Sequence, residues 1–137
     1  MDLYQDEIVR HALTSTHEGR LGDNAISQHI ENRLCGDAVT LWVDSDASGR
    51  WASIRFESEG CTLCRASASM LCRWLEGKCL HDIRVALATV VRDGHLADHP
   101  ALAAFHEVEA TSRRRRCITL PWECLAHLIE QSFPESH

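Results

Sequence analysis

Ala38-Val39-Thr40-Leu41-Trp42-Val43-Asp44, then Ser45-Asp46-Ala47-Ser48-Gly49, then Trp51-Ala52-Ser53-Ile54-Arg55-Phe56-Glu57-Ser58 is the stretch that decides the fold. Val39, Leu41 and Val43 alternate with Thr40 and Trp42; Ala52, Ile54 and Phe56 alternate with polar neighbours. This is the two-residue period of strands buried on one face. The residues between the two runs are turn formers, so the pair reads as an antiparallel β-hairpin. Ala25 to Ile30 offers a third strand on its upstream side.

Downstream the period changes. Thr62 to Glu76 is apolar nearly all round, leaving Arg65, Ser69, Arg73 and Glu76 as a narrow polar stripe, the pattern of a largely buried helix that Gly77 stops. Ile83, Leu87, Val90 and Val91 predict a further helix closed by Asp93-Gly94, and Pro100 opens a short one to about Glu109. Ile118, Trp122, Leu125 and Ile129 share a face of a last helix. Proline has no N–H to give, so Pro121 is expected in its first turn, with the helix beginning near Cys117 or Ile118. Upstream, Tyr4, Ile8 and Ala12 recur at helical spacing from Asp2 to about Thr16, with Asp2 and Gln5 as a box-like start. Gly19 to Asn24 reads as a loop. The class is α+β: a small antiparallel sheet of two to three strands, with an N-terminal helix and several C-terminal helices packed on it.

The chain has 137 residues, 45% hydrophobic and 25% charged, which fits a single domain over residues 1–137. A formal net charge of −6 is the wrong sign for a general nucleic-acid binder. The run from Val85 to Val91 is too short to span a bilayer, and Met1 to Glu7 lacks the basic start and apolar core of a signal peptide. No nucleic-acid partner and no membrane are therefore expected, and the cytoplasm is the expected location.

Seven cysteines, an odd number with no secretory signal, argue against a disulfide framework. Three fall at junctions between elements. Cys35 lies just before the first confident strand, Cys61 between the second strand and the buried helix, and Cys117 at the opening of the last helix. A thiol at a helix N-terminus meets unpaired N–H groups and the positive end of the dipole, which favours thiolate; Arg113 to Arg116 beside Cys117 point the same way. Asp37, two residues after Cys35, supplies a carboxylate to the same site. Three thiolates and a carboxylate form a tetrahedral set for zinc or for a cluster of iron and sulfide. An oxygen ligand holds iron–sulfur units less firmly than a fourth thiolate, which suits a carrier that must hand its cluster on.

Cys35-Gly36-Asp37, Glu59-Gly60-Cys61, Ala66-Ser67-Ala68-Ser69-Met70 and Cys117-Ile118-Thr119-Leu120-Pro121-Trp122 together resemble the U-type iron–sulfur cluster assembly scaffolds: IscU, SufU and the amino-terminal domain of NifU. The resemblance runs in the same order along nearly the whole chain. It implies a metal or transient-cluster site at Cys35, Asp37, Cys61 and Cys117, with Cys61 and Cys117 as persulfide acceptors. The implied partners are a cysteine desulfurase as sulfur source and downstream apo iron–sulfur proteins or carriers as recipients. The implied protein is a scaffold or sulfur acceptor without small-molecule turnover of its own. Arg116 stands where IscU-type members carry histidine, Ser112 to Arg115 replace their chaperone-recognition segment, and the interval from Cys61 to Cys117 is longer. These departures point to the SufU-like branch. Cys64 stands where the family pattern has a small non-thiol residue.

Blander readings stand beside these. Asp37 alone can accept backbone N–H bonds in an Asx turn. Cys61 and Cys64 form a Cys-x-x-Cys pair, yet redox catalysis of the thioredoxin kind needs a βαβ context that a hairpin does not provide. Cys64, Cys72, Cys79 and Cys124 read as small buried hydrophobes. The arginine run reads as a solvated or partner-docking patch, most of the nine histidines as surface residues, and His99 and His106 as possible extra donors. Two rivals remain: a zinc-bound sulfur-transfer protein that stimulates the desulfurase without building a cluster, and a structural-zinc interaction module.

Overall fold

In the computed structural model, residues 8–12, 15–34, 36–92 and 114–134 are described. The hairpin is there, and the upstream run joins it: β1 (Ile26–Asn32), β2 (Asp37–Ser45) and β3 (Trp51–Glu59) form one antiparallel sheet in the order β1-β2-β3. The register sets Ile30 opposite Val39, Val43 opposite Ile26 and Ile54, and Leu41 opposite Phe56. Val39, Leu41, Val43, Ile54 and Phe56 are buried on one face. Every second position of β1 is exposed, as an edge strand with one buried face requires.

One face assignment is corrected. Ala52 is exposed and its neighbour Trp51 is buried. The pairing steps from Asp44–Ser53 to Ser45–Trp51, a bulge that leaves Ala52 unpaired and turns the indole inward. Trp51 also ties the end of β3 to the next loop: its N–H donates to the Lys78 carbonyl, and its carbonyl accepts from Gly77 N–H at 2.8 Å.

The buried helix is α1 (Thr62–Leu75), which ends as expected at Gly77, whose φ is +77°. Ser69 departs from the expected polar stripe and is buried. It lies under the helical residues 8–12, hydrogen-bonded to His11 Nδ1 at 2.7 Å and to Ser15 Oγ at 2.8 Å. His11 and His17 are buried too, against the expectation of surface histidines; His17 pairs with Glu76. Helix α2 (Leu80–Leu87) widens into a π-helical turn, Ala88–Arg92, and buries Ile83, Leu87 and Val90 while Val91 is half-exposed. The Asp2–Gln5 start, the Asp93-Gly94 stop, the helix expected from Pro100 to Glu109, and His99 and His106 lie outside the described residues.

Helix α3 (Arg114–Ser132) packs Ile118, Trp122, Leu125 and Ile129 on the sheet and on α1, with Trp74 and Trp122 rings 6.0 Å apart. Its start overturns the expectation from proline, because Pro121 lies inside the helix and not in its first turn. The missing N–H leaves a gap in the ladder at the Cys117 carbonyl. Hydroxyl groups bond neighbouring carbonyls of that turn: Ser67 Oγ of α1 donates to the Ile118 carbonyl at 2.6 Å, and Thr119 Oγ1 to the Arg116 carbonyl at 3.4 Å. Ser67→Ala should therefore cost about 0.5–1.5 kcal/mol, the net worth of one buried hydrogen bond, read as a lower urea midpoint at unchanged slope.

Candidate metal and sulfur site

The site forms where the start of β2, the junction between β3 and α1, and the first turns of α3 meet. Asp37 opens β2 opposite Asn32, and only 2% of it is exposed. Its Oδ1 accepts from the Cys61 N–H at 2.8 Å, so the carboxylate bridges to the far end of the hairpin and does not form the local Asx turn considered above. Its Oδ2 is buried with no hydrogen-bond partner among the described residues. A buried, unsatisfied carboxylate oxygen is costly unless a cation or donor reaches it.

Gly60 makes that approach possible. Its φ is +109°, and a Cβ there would lie 2.1 Å from Asp37 Oδ1. Any side chain would push the carboxylate off the Cys61 N–H. Sequence reading quoted Gly60 only as part of a motif; a glycine between a strand and a capping cysteine was the available signal.

Cys61 is the N-cap of α1, and its Sγ accepts from Leu63 N–H at 3.4 Å. The helix-terminal setting expected of it is therefore present. Cys117 differs from expectation: it lies within α3, which already runs from Arg114, and only 6% of it is exposed. Burial pushes its thiol up, and the adjoining Asp37 and Cys61 push it further the same way. Arg116 faces solvent and does not offset this. Burial thus disfavours the thiolate that the helix-terminal setting was expected to favour.

Cys35 follows β1 in sequence and lies outside the described residues. The loop around it is anchored by Asn32, whose Oδ1 accepts from Leu34 N–H at 3.2 Å and whose carbonyl accepts from Gly36 N–H at 2.9 Å. Asp37 is thus a neighbour of both Cys61 and Cys117. Among the described residues no three histidine, cysteine, aspartate or glutamate side chains form a ready metal-holding group, and the expected set includes Cys35.

The other cysteines are sorted by burial. Cys72 and Cys124 are fully buried, and Cys124 Sγ lies 3.3 Å from the Gln28 carbonyl, tying α3 to β1. Burial pushes the Cys124 thiol up to about 12. Both fit the reading as small core hydrophobes. Cys79, half-buried, is the N-cap of α2 with no side-chain cap bond.

Residues 3–118 match the model of the NifU-like N terminal domain. The chain belongs to this family. Among members of this NifU-like family, the iron–sulfur cluster assembly scaffold protein IscU of Streptococcus pyogenes serotype M1 is 29% identical over 98% of this chain and 87% of its own length. The zinc-dependent sulfurtransferase SufU of Bacillus subtilis strain 168 is 29% identical over 90% of this chain and 86% of its own. A crystal structure of a nitrogen-fixing NifU-like protein (N-terminal) from Brucella abortus shares the fold with a TM-score of 0.79, at 21% identity, over 98% of this chain and 96% of that one.

Proposed function

We propose that the chain is an iron–sulfur cluster assembly protein of the SufU-like branch, holding iron or a transient cluster at Cys35, Asp37, Cys61 and Cys117. Sulfur would come from a cysteine desulfurase, with Cys117 and Cys61 as its acceptors, and the cluster would pass to downstream apo proteins or carriers in the cytoplasm. The observation that carries the reading is the orphaned Asp37 Oδ2, buried beside the Cys61 and Cys117 thiols. A buried carboxylate set against two cysteine sulfurs is the chemistry of a mixed oxygen and sulfur ligand set. Family membership supports the same reading. Among the described residues no helix is long and apolar enough to cross a membrane.

Anaerobic purification tests it. A scaffold should carry iron, acid-labile sulfide and visible absorption. A colourless protein with equimolar zinc would favour the second reading, sulfur transfer without cluster building, which the donor set and the SufU likeness also suit. A structural-zinc module would take up no sulfur, and stripping its metal would unfold it. Cys117→Ser should abolish sulfur uptake from persulfide-loaded desulfurase while leaving the far-ultraviolet circular dichroism intact; undiminished uptake would remove Cys117 from the pathway.

A further inference from the structure

Cys64 is the thiol that the proposed function leaves unused, and it is the buried helix cysteine nearest the site by chemistry. Cys61 caps α1 and Cys64 follows three positions on, so both side chains lie on one side of the first turn, with Cβ atoms roughly 5–6 Å apart for such a spacing. A disulfide needs Cβ atoms about 3.5–4.5 Å apart, so closing this one requires the helix N-terminus to draw in by roughly 1–2 Å. Cys64 is fully buried and Cys61 half-buried. An accessible first thiol backed by a shielded second one is the division of labour of a dithiol exchange pair.

The charge environment separates Cys64 from the other core thiols. Burial pushes the Cys64 thiol up to about 12, and Asp37, Cys61 and Cys124 push it the same way, so attack requires its proton to be lost as the bond forms. Cys72 feels Arg55 and Glu76 where Cys64 feels Asp37 and Cys61, with Cys124 common to both and engaged with the Gln28 carbonyl. Small apolar filling accounts for Cys72 and Cys124. Cys64 fills the same core and differs in following the N-cap Cys61 by three positions.

Resting on the reading that sulfur is accepted at this site, we propose that Cys64 is a resolving cysteine that converts persulfide sulfur into sulfide. Sulfane sulfur reaching Cys117 passes to Cys61, which adjoins it: Cys117–S–SH and Cys61–SH become Cys117–SH and Cys61–S–SH. Cys64 Sγ then attacks Cys61 Sγ. The bond between the two cysteine sulfurs forms, the bond to the outer sulfur breaks, and that sulfur leaves as hydrosulfide with the thiol proton going to solvent or to the leaving group. The outer sulfur gains two electrons, and the two cysteines lose them as a Cys61–Cys64 disulfide. Clusters contain sulfide, so this pair supplies the reducing step at the place of assembly. A dithiol reductant, small or protein-borne, returns the pair to thiols, and until then Cys61 is withdrawn from the metal.

The test is a single turnover without free thiol. Desulfurase loaded with persulfide and freed of cysteine is mixed anaerobically with the full-length chain, and both hydrosulfide and intact mass are followed. The wild type should release hydrosulfide and lose two hydrogens, with peptide mapping linking Cys61 to Cys64. Cys64→Ala and Cys64→Ser should instead retain one extra sulfur atom and lose the release. Two variants are used so that poor packing of one does not mimic the effect, with circular dichroism confirming the fold. Equal release by wild type and both folded variants, with no Cys61–Cys64 link, overturns the resolving role and leaves sulfur acceptance standing. Failure of wild type and variants alike to gain sulfur or a disulfide overturns both.

Discussion

Gly60→Ala is expected to destabilise the protein by on the order of 3 kcal/mol and to remove metal binding along with it. Two effects add. The backbone at φ +109° is one that residues with a Cβ rarely adopt, a strain of roughly 1–3 kcal/mol. The methyl would also stand 2.1 Å from Asp37 Oδ1, so the carboxylate must leave the Cys61 N–H, a charged hydrogen bond worth about 1.5–3 kcal/mol. Asp37 cannot move far without cost, because it opens β2 in register with Asn32 and is almost wholly buried. Urea unfolding with and without zinc gives the measurement: the variant should lose stability in both conditions and gain little from added metal. A midpoint within the error of wild type, with metal still stabilising, would show that the close approach of Gly60 to Asp37 is unimportant.

Asp37→Ala is expected to act in the opposite sense on a bound cluster, making it longer-lived. On the proposed function the carboxylate would be the hard ligand in a set of sulfurs, and the corner where exchange begins. Without it the remaining thiolates hold the cluster with no ready leaving position. The stability of the metal-free chain should change little, because two effects oppose. Losing the bond to Cys61 N–H costs stability, while removing a buried oxygen with no partner recovers some of it. Decay of visible absorbance under a fixed chelator challenge, compared with wild type, decides the matter. Faster decay in the variant would contradict the role of Asp37 as the labile ligand.

Most of the architecture is local and was legible. The alternation through Val39, Leu41 and Val43, and the all-round apolar character from Thr62 to Leu75, are properties of neighbouring residues, and the strands and helix follow them closely. The errors share one physical origin. Pro121 was expected to mark a helix start because the proline rule counts only the bonds of its own helix. Packing of Ile118, Trp122 and Leu125 on the sheet and on α1 holds that turn, and the helix runs through. Ala52 and Trp51 exchanged faces because a bulge depends on the partner strand. Cys117 was expected to be a thiolate from nearby arginines, whereas burial by α1 and the sheet, with Asp37 and Cys61 alongside, outweighs them.

The sequence by itself determined the α+β class, the hairpin and the buried helix, and it offered a third strand and a short list of candidate ligands. Tertiary structure alone decided that Asp37 spans to the Cys61 N–H, that Gly60 gives it room, and that Cys117 and Cys64 are buried. Hydrophobic period and turn chemistry act over a few residues and are written in order along the chain. Burial, charge and close approach depend on which distant segments touch, and only the folded chain specifies that.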